Sequence, residues 1–184
     1  MNTIQLESLL SRHECTRDAY VGVFAIDRLP SEILHFPALF IVNTDCANKP
    51  GSHWVCIYIA SPEWGYFFDS YGFEPSFWDF RLVQFLSSQT NCGTFSWNSK
   101  TLQTLQSDTC GEWCILAADQ LCRLHPENHN EVKPIPIFTD YELCRWIDAH
   151  LLDDNKFGAI VKDCENLQTC SCMKNSLSEL VSFS

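Results

Sequence analysis

The order of elements in this sequence predicts an α+β fold, in which a series of strands precedes the main helices. Short β-branched and aromatic runs occupy the first part of the chain, and a helix that is apolar on nearly all sides follows residue 110. With 184 residues, 46% of them hydrophobic and 13% aromatic, the chain can bury a substantial core. We expect one compact domain over residues 1–152 and a C-terminal extension over residues 153–184, packed on that domain or partly mobile.

The first elements are a short helix and two strands. Ile4 to Leu10 is apolar at helical spacing, which favours an opening helix. Tyr20 to Ile26 and Phe36 to Val42 are strand-like runs, and the sequence between Asp27 and Ser31 has the composition of a turn. A polar loop over residues 43–52 then leads into the next strand.

A hairpin is the central prediction. Trp54 to Ala60 is apolar at nearly every position, as expected for a central strand that is covered on both faces. A turn at residues 61–63 leads into Gly65 to Phe68, which ends at Asp69. Because the start of one antiparallel strand lies beside the end of the next, His53 and Asp69 can meet at one edge of the sheet.

The later elements are mostly helical. Ser76 to Ser87 is amphipathic and follows Pro75, which predicts one helix with Ser76 as its cap. Asn91 to Lys100 is short and mixed and could form an edge strand. Tyr141 to Leu152 predicts a further amphipathic helix.

Cys110 has the setting of a reactive thiol. Asp108 and Thr109 offer caps immediately before it, so Cys110 should begin the apolar helix. A helix N-terminus and a neighbouring imidazolium both favour the thiolate of a group whose ordinary pKa is about 8.5. Gly111 leaves room for a substrate backbone to approach. The alternative is that Cys110 is simply a small core residue, as we expect of Cys114 on the same helix.

Partners for such a thiol occur elsewhere in the chain. A cysteine nucleophile needs a base, a group that orients the base, and donors to the oxyanion. His53 and Asp69 suit the first two roles, although a structural histidine and a turn aspartate are the alternatives. Gln103 or Gln106 could donate to the oxyanion. Trp54 could stack on the imidazolium or fill core.

The composition of the chain indicates which kinds of partner and which cellular compartment to expect. The net charge of −11 disfavours nucleic-acid binding and suits partners with basic surfaces; the alternative is that the acidity only keeps the protein soluble. The eleven cysteines are odd in number and residues 1–10 lack the pattern of a secretory signal, so we expect reduced thiols and an intracellular protein. The longest apolar run, Phe36 to Val42, is too short to span a membrane.

Five sequence blocks occur in a recognisable order. They are Gly22-Val23-Phe24-Ala25-Ile26-Asp27-Arg28-Leu29-Pro30, Ile41-Val42-Asn43-Thr44-Asp45, Pro50-Gly51-Ser52-His53-Trp54, Phe68-Asp69-Ser70-Tyr71-Gly72 and Ser107-Asp108-Thr109-Cys110-Gly111. In these blocks the chain resembles the adenovirus-type (adenain-like) cysteine proteases, in particular those of Polinton or Maverick mobile elements and adintoviruses. The resemblance runs from about Tyr20 to Gln120.

The resemblance implies roles for residues at matching positions. It implies His53 as general base, Asp69 as orienting acid, Cys110 as nucleophile and Gln103 as oxyanion donor. The family's glutamine lies seven residues before its cysteine, which selects Gln103 over Gln106. The adenoviral enzyme has a glutamate at the position of Asp69, and either carboxylate can orient an imidazole. The implied fold is a mixed sheet flanked by helices, with the nucleophile at the N-terminus of a buried central helix.

The resemblance also implies a biological setting. The reaction would be cleavage of capsid or core precursor proteins during virion maturation, by a monomer in the host nucleus or cytoplasm that is packaged in the virion. Relatives favour small residues near the scissile bond, which predicts a narrow cleft around Cys110. The adenoviral enzyme is activated by a peptide linked to a cysteine eleven residues before its glutamine, where this chain has Cys92, and by DNA. We expect no required cofactor, and the acidity of the chain argues against DNA.

Three alternatives stay open. Related folds remove ubiquitin-like proteins, so an isopeptidase acting on ubiquitin or its relatives is the first. A binding module that has kept the scaffold without catalysis is the second. A structural metal site is the third, but Cys110-x3-Cys114 and Cys170-x-Cys172 do not form the paired Cys-x2-Cys motifs of zinc sites, so no metal is expected. A redox role is disfavoured for the same reason of spacing.

Overall fold

A mixed five-stranded sheet forms the centre of the chain. The computed structural model describes residues 1–91, 95–123 and 135–151. Strand order in the sheet follows chain order, with β1 and β2 parallel, β2, β3 and β4 antiparallel, and β4 and β5 parallel. The strands are β1 (Tyr20–Ala25), β2 (Ala38–Asn43), β3 (Trp54–Ser61), β4 (Trp64–Phe68) and β5 (Phe95–Trp97). The fold is α+β, as predicted, and β3 takes the central position that its apolar sequence indicated.

Helices precede and follow the sheet. They are α1 (Thr3–Leu10), α2 (Pro75–Trp78), α3 (Phe80–Gln89), α4 (Cys110–Cys122) and α5 (Asp140–Leu151), with a short 3₁₀ helix at Ile26–Arg28. The chain divides by its internal contacts into Met1–Asp140 and Tyr141–Ser184, and α5 is the part of the second unit that the structure describes. The domain boundary that we placed after residue 152 stays a prediction.

The single helix expected over Ser76 to Ser87 is wrong. Two helices occupy this segment, and Asp79 stands between them with extended backbone angles of φ −166° and ψ 139°. Its side chain accepts a hydrogen bond from the Arg81 backbone N–H at 2.8 Å, which caps α3. The N-cap of α2 is Glu74 rather than Ser76, and Pro75 occupies the first turn. An aspartate side chain that bonds nearby backbone favours a cap over a helix interior, which explains the break.

One face of the sheet packs against α3. Phe40 of β2 is fully buried, and its ring meets that of Phe85 edge-on with a centroid distance of 5.3 Å. The buried residues of this cluster are Ile26, Ala38, Phe40, Val42, Val55, Ile57, Ile59, Phe67, Leu82, Phe85 and Leu86. The alternate residues, such as Ile41 and Cys56, point to the opposite face, where α4 contacts β3. Helices therefore cover the sheet on both sides.

Within the described residues, no helix is long and apolar enough to cross a membrane.

Replacing Phe40 with alanine should lower the free energy of unfolding by about 3–5 kcal/mol, because the change empties a fully buried ring site. Chemical denaturation of both proteins would measure the difference. Leu34, which is 89% exposed, provides the matched control, and Leu34→Ala should change stability by less than about 0.5 kcal/mol. Similar losses in the two variants would show that Phe40 is not part of the core described above.

Candidate active site

The β3–β4 hairpin brings His53 and Asp69 into contact. His53 immediately precedes β3, and Asp69 immediately follows β4. The His53 Nε2–H group donates to Asp69 Oδ1 at 2.7 Å. Both side chains are almost completely buried, with His53 4% and Asp69 0% exposed. The hairpin geometry thus produces the juxtaposition that the sixteen-residue spacing predicted.

Asp69 is held by further donors from the loop that follows it. Its Oδ1 also accepts from the Tyr71 backbone N–H at 3.1 Å, and its Oδ2 accepts from the Phe73 backbone N–H at 3.0 Å. The Trp78 indole N–H donates to Oδ2 at 3.1 Å. A buried carboxylate is costly unless its oxygens are paired, and these bonds provide that pairing.

The loop needs two further residues to reach this shape. Gly72 adopts a φ of +78°, and a Cβ there would lie 2.8 Å from the backbone carbon of Lys100. Glycine is therefore required both for the backbone conformation and for the close approach. Asn98 secures the backbone of Asp69 from the neighbouring strand end: its Oδ1 accepts from the Asp69 N–H at 2.9 Å, and its Nδ2 donates to the Asp69 carbonyl at 2.6 Å.

The imidazole of His53 lies between two aromatic rings. Tyr71 and Trp78 stack on it, with centroid distances of 4.7 and 4.6 Å and interplanar angles of 24° and 22°. These two rings take the stacking position that we had considered for Trp54. The indole N–H of Trp54 instead donates to the Met1 carbonyl at 3.2 Å. With a ring on each face and Asp69 at one edge, the imidazole is fixed in orientation.

Cys110 begins α4 and lies close enough to His53 that its interaction with the imidazole is among the causes that raise the pKa of His53. It is a partly exposed free thiol. Because His53 uses Nε2 for Asp69, Nδ1 is the nitrogen left for the thiol. Burial lowers the pKa of His53, but the hydrogen bonds to Asp69 and Cys110 and the charges of those groups outweigh it, so the net shift is upward.

The prediction that a side chain caps α4 is wrong for Thr109. Thr109 occupies the N-cap position but makes no capping side-chain bond. Its hydroxyl donates to Asp140 Oδ1 at 2.8 Å and lies 2.7 Å from the Ser107 hydroxyl. The first N–H groups of α4 are therefore left without a side-chain acceptor from Thr109, at the end of the helix where partial positive charge accumulates.

Of the two glutamines considered, Gln103 lies in the interior and Gln106 is exposed. Gln103 Oε1 accepts from the Ser70 hydroxyl at 2.6 Å, and Ser70 directly follows Asp69. Gln103 Nε2 donates to the Ser107 carbonyl at 2.8 Å, with a longer contact of 3.4 Å to the Ser107 hydroxyl. The amide is thus fixed between the loop after β4 and the segment that leads into Cys110.

Gly111 and Trp54 lie together beside Cys110. A Cβ on Gly111 would come within 2.9 Å of the Met1 Cβ and 3.5 Å of Trp54 Cδ1, so glycine permits this packing. A cavity of about 190 Å³ adjoins Trp54, and its lining includes Phe24, Asp45 and Lys49. Cys110 is not among the residues that line it. The narrow cleft around Cys110 stays a prediction.

Some site residues were missed or lie elsewhere. The sequence analysis treated residues 76–87 as a packing helix, yet Trp78 bonds Asp69 and stacks on His53. The aromatic residues that crowd the sequence after Asp69 were the available signal. Ser70 and Asn98 carried no signal that distinguishes them from other polar loop residues. Cys92, Cys170 and Cys172 lie outside the described residues.

A solved structure shares this fold. Over 82% of its length the chain superposes on the crystal structure of ASFV pS273R protease with a TM-score of 0.50 and 15% sequence identity. A second crystal structure, of selenomethionine ASFV pS273R protease, matches 63% of the chain at 22% identity and a TM-score of 0.37. The chain spans 66% and 44% of the length of those two proteins.

The first of these likenesses defines a class of fold and no more. The α+β architecture, with a five-stranded mixed sheet and helices, is that of the Ulp/adenain type, as the ASFV protease shows. No protein-family model matches the sequence, and no curated protein matches it significantly. At this level of identity the activity has to be argued from the site.

The His53 imidazole should titrate above its ordinary value of 6.5 in the folded protein. Folding raises the pKa of His53 above its value in the unfolded chain. The stabilisation from His53 is therefore fully present at pH values below the unfolded-state pKa, and it is lost as the pH rises through the folded-state pKa. Asp69→Asn should lower the titration midpoint of His53, because the negative charge that favours the imidazolium form is removed. NMR titration of the imidazole protons would measure both midpoints.

Asp18 is an exposed aspartate, so Asp18→Asn provides the control and should leave the His53 midpoint unchanged. An equal shift in the two variants would contradict a specific effect of Asp69.

Proposed function

We propose that this chain is a cysteine endopeptidase with Cys110 as nucleophile, His53 as general base and Asp69 as the orienting acid. The observation that carries the proposal is the buried imidazole hydrogen-bonded to Asp69, with Cys110, the first residue of α4, near enough to contribute to its raised pKa. The Ulp/adenain type of fold supports it, because a protease of known structure has that fold.

The chemistry follows from this arrangement. The Cys110 proton moves to His53 Nδ1, and the thiolate attacks the carbonyl carbon of the scissile peptide bond. Collapse of the tetrahedral intermediate breaks the C–N bond, and the imidazolium transfers its proton to the leaving amine. Water, deprotonated by His53, then hydrolyses the thioester and returns the proton to the Cys110 sulfur. Asp69 stays ionised and holds the Nε2–H tautomer throughout.

The oxyanion needs donors close to Cys110. The backbone N–H of Cys110 is one, at the positive end of α4. Gln103 is the proposed side-chain donor: Ser70 fixes its Oε1, the Ser107 carbonyl takes one Nε2 hydrogen, and the second hydrogen would exchange its 3.4 Å contact with the Ser107 hydroxyl for the oxyanion. An amide held at both ends costs little reorganisation as the oxyanion forms. Trp54 and Gly111, which pack against each other, would support the substrate backbone beside the thiol.

The biological setting belongs to the proposal as well. The substrates would be capsid or core precursor proteins of a virus or virus-like element such as a Polinton, a Maverick or an adintovirus. Cleavage would occur during virion maturation in the host nucleus or cytoplasm, by an enzyme that acts as a monomer and is packaged in the virion. The net charge of −11 argues against DNA as an activator. Peptide activation through Cys92 would be tested by comparing turnover of wild type and Cys92→Ala with and without the peptide.

An isopeptidase acting on ubiquitin-like proteins is the second candidate, because the Ulp/adenain type of fold also serves that reaction. A ubiquitin-family probe with a thiol-reactive C-terminus would discriminate between the two. Covalent capture of the probe by Cys110 would favour the isopeptidase. Cleavage of linear peptides without capture would favour the endopeptidase.

Alkylation by iodoacetamide at pH 6 should modify Cys110 faster than the partly exposed thiol Cys46. The reason is that His53 can accept the proton of Cys110 as its sulfur attacks, and Cys46 has no such base in the proposal. Mass spectrometry of the digested protein would measure each rate.

His53→Ala should remove this selectivity, whereas His35→Ala, a change at an exposed histidine, should not. If wild-type Cys110 reacts no faster than Cys46, His53 does not activate the Cys110 thiol in the free protein.

Gln103→Ala should lower kcat for peptide cleavage by about 10²–10³-fold, as expected for the loss of one oxyanion donor. The exposed Gln106 gives the matched control, and Gln106→Ala should leave kcat unchanged. Steady-state kinetics on a peptide with glycine at the scissile bond would measure both. A Gln103→Ala enzyme with full kcat would remove Gln103 from the oxyanion site.

A further inference from the structure

Three side chains of types that bind metals lie near the C-terminal end of α4, at the opposite end from Cys110. His13, Cys15 and Asp119 place one ligand atom each within 4.8 Å of one another. His13 and Cys15 lie in the connection between α1 and β1, and Asp119 lies in the last turn of the helix that begins with Cys110. The group is therefore separate from the catalytic residues.

The distances between these atoms are better suited to a shared metal ion than to direct hydrogen bonds. His13 Nδ1 lies 3.8 Å from Asp119 Oδ1, which is too long for a hydrogen bond. Two ligand atoms that are each about 2.1 Å from a tetrahedral zinc lie about 3.4 Å apart. Both side chains are shielded, with 13% and 4% of their surface exposed.

Three protein ligands leave the fourth position of a tetrahedral zinc ion to water. Cys122, three residues after Asp119 on α4, does not belong to the group of ligand atoms within 4.8 Å of one another.

The surroundings are built to hold the ligands in place. Arg123 Nε donates to both oxygens of Asp119, at 3.0 and 2.9 Å, and Nη2 donates to Oδ1 at 2.8 Å. Ligating carboxylates commonly carry such outer partners. The turn with His13 is fixed by backbone bonds from Thr16 and Arg17 to the His13 carbonyl, at 3.1 and 2.9 Å.

We propose that His13, Cys15 and Asp119 bind one zinc ion, with water in the fourth position, and so tie the α1–β1 connection to the end of α4. One sulfur, one imidazole nitrogen and one carboxylate oxygen are all ligand types that zinc accepts. One thiolate and one carboxylate together offset the charge of the divalent ion. The sequence motifs could not reveal this set, because its two halves lie far apart along the chain.

The test uses the full chain carrying Cys110→Ala, so that no zinc binds between the catalytic thiol and His53. After incubation with ZnCl₂ and removal of free metal, mass spectrometry of the metal should find one zinc per chain. Adding Cys15→Ser or His13→Ala should weaken binding at least tenfold. The matched additions Cys46→Ser and His35→Ala should leave it unchanged.

Two further readouts guard against loss of folding. Zinc should raise the Tm of the Cys110→Ala protein and not that of its Cys15→Ser derivative, while both melt cooperatively in chelator. Cobalt(II) in place of zinc should give thiolate-to-metal charge-transfer absorption that is lost on changing Cys15 to serine and kept on changing Cys46 to serine.

Three results would each overturn the proposal. They are an absence of stoichiometric zinc, zinc that is retained in both the Cys15→Ser and the His13→Ala proteins, and a disulfide at Cys15 in freshly purified protein.

Discussion

The buried carboxylate of Asp69 is the constraint on which the candidate site depends. A charge with no exposed surface costs several kcal/mol unless donors surround it, and here four donors do so. Satisfying that charge determines the path of the loop after β4, the left-handed backbone of Gly72 and the position of Trp78. It also leaves one oxygen directed at His53. The hydrogen bonds that offset the cost of burying the Asp69 carboxylate therefore also orient His53, the proposed base.

Packing along helix α4 holds the residues at both of its ends in place. It is buried on nearly every side, so its first and last residues are held by the packing between them rather than by loops. Cys110 at its start meets His53, and Asp119 near its end meets His13. A rigid helix with chemistry at both ends gives the proposed zinc ion a direct structural role. Tying down the far end of α4 would limit movement of the nucleophile.

The local predictions were right where short-range patterns decide the outcome. The strands around His53 and Asp69 formed as expected because their apolar runs could be buried on both faces of a central sheet. The start of α4 at Cys110 also followed from pattern. The helix expected over residues 76–87 was wrong, since the Asp79 side chain bonds to the Arg81 N–H. Periodicity alone cannot register such a competition between a cap and a helix interior.

The sequence by itself determined the order of the strands and helices and the residue types able to perform thiol chemistry. Apolar periodicity and hairpin geometry act over a few residues, so they can be read directly from the chain. Tertiary structure alone decided which aromatic rings enclose His53, that Gln103 is buried and Gln106 exposed, and that Cys15 lies near Asp119. Those outcomes depend on contacts between distant segments, whose free energy is set by packing and desolvation in the completed fold.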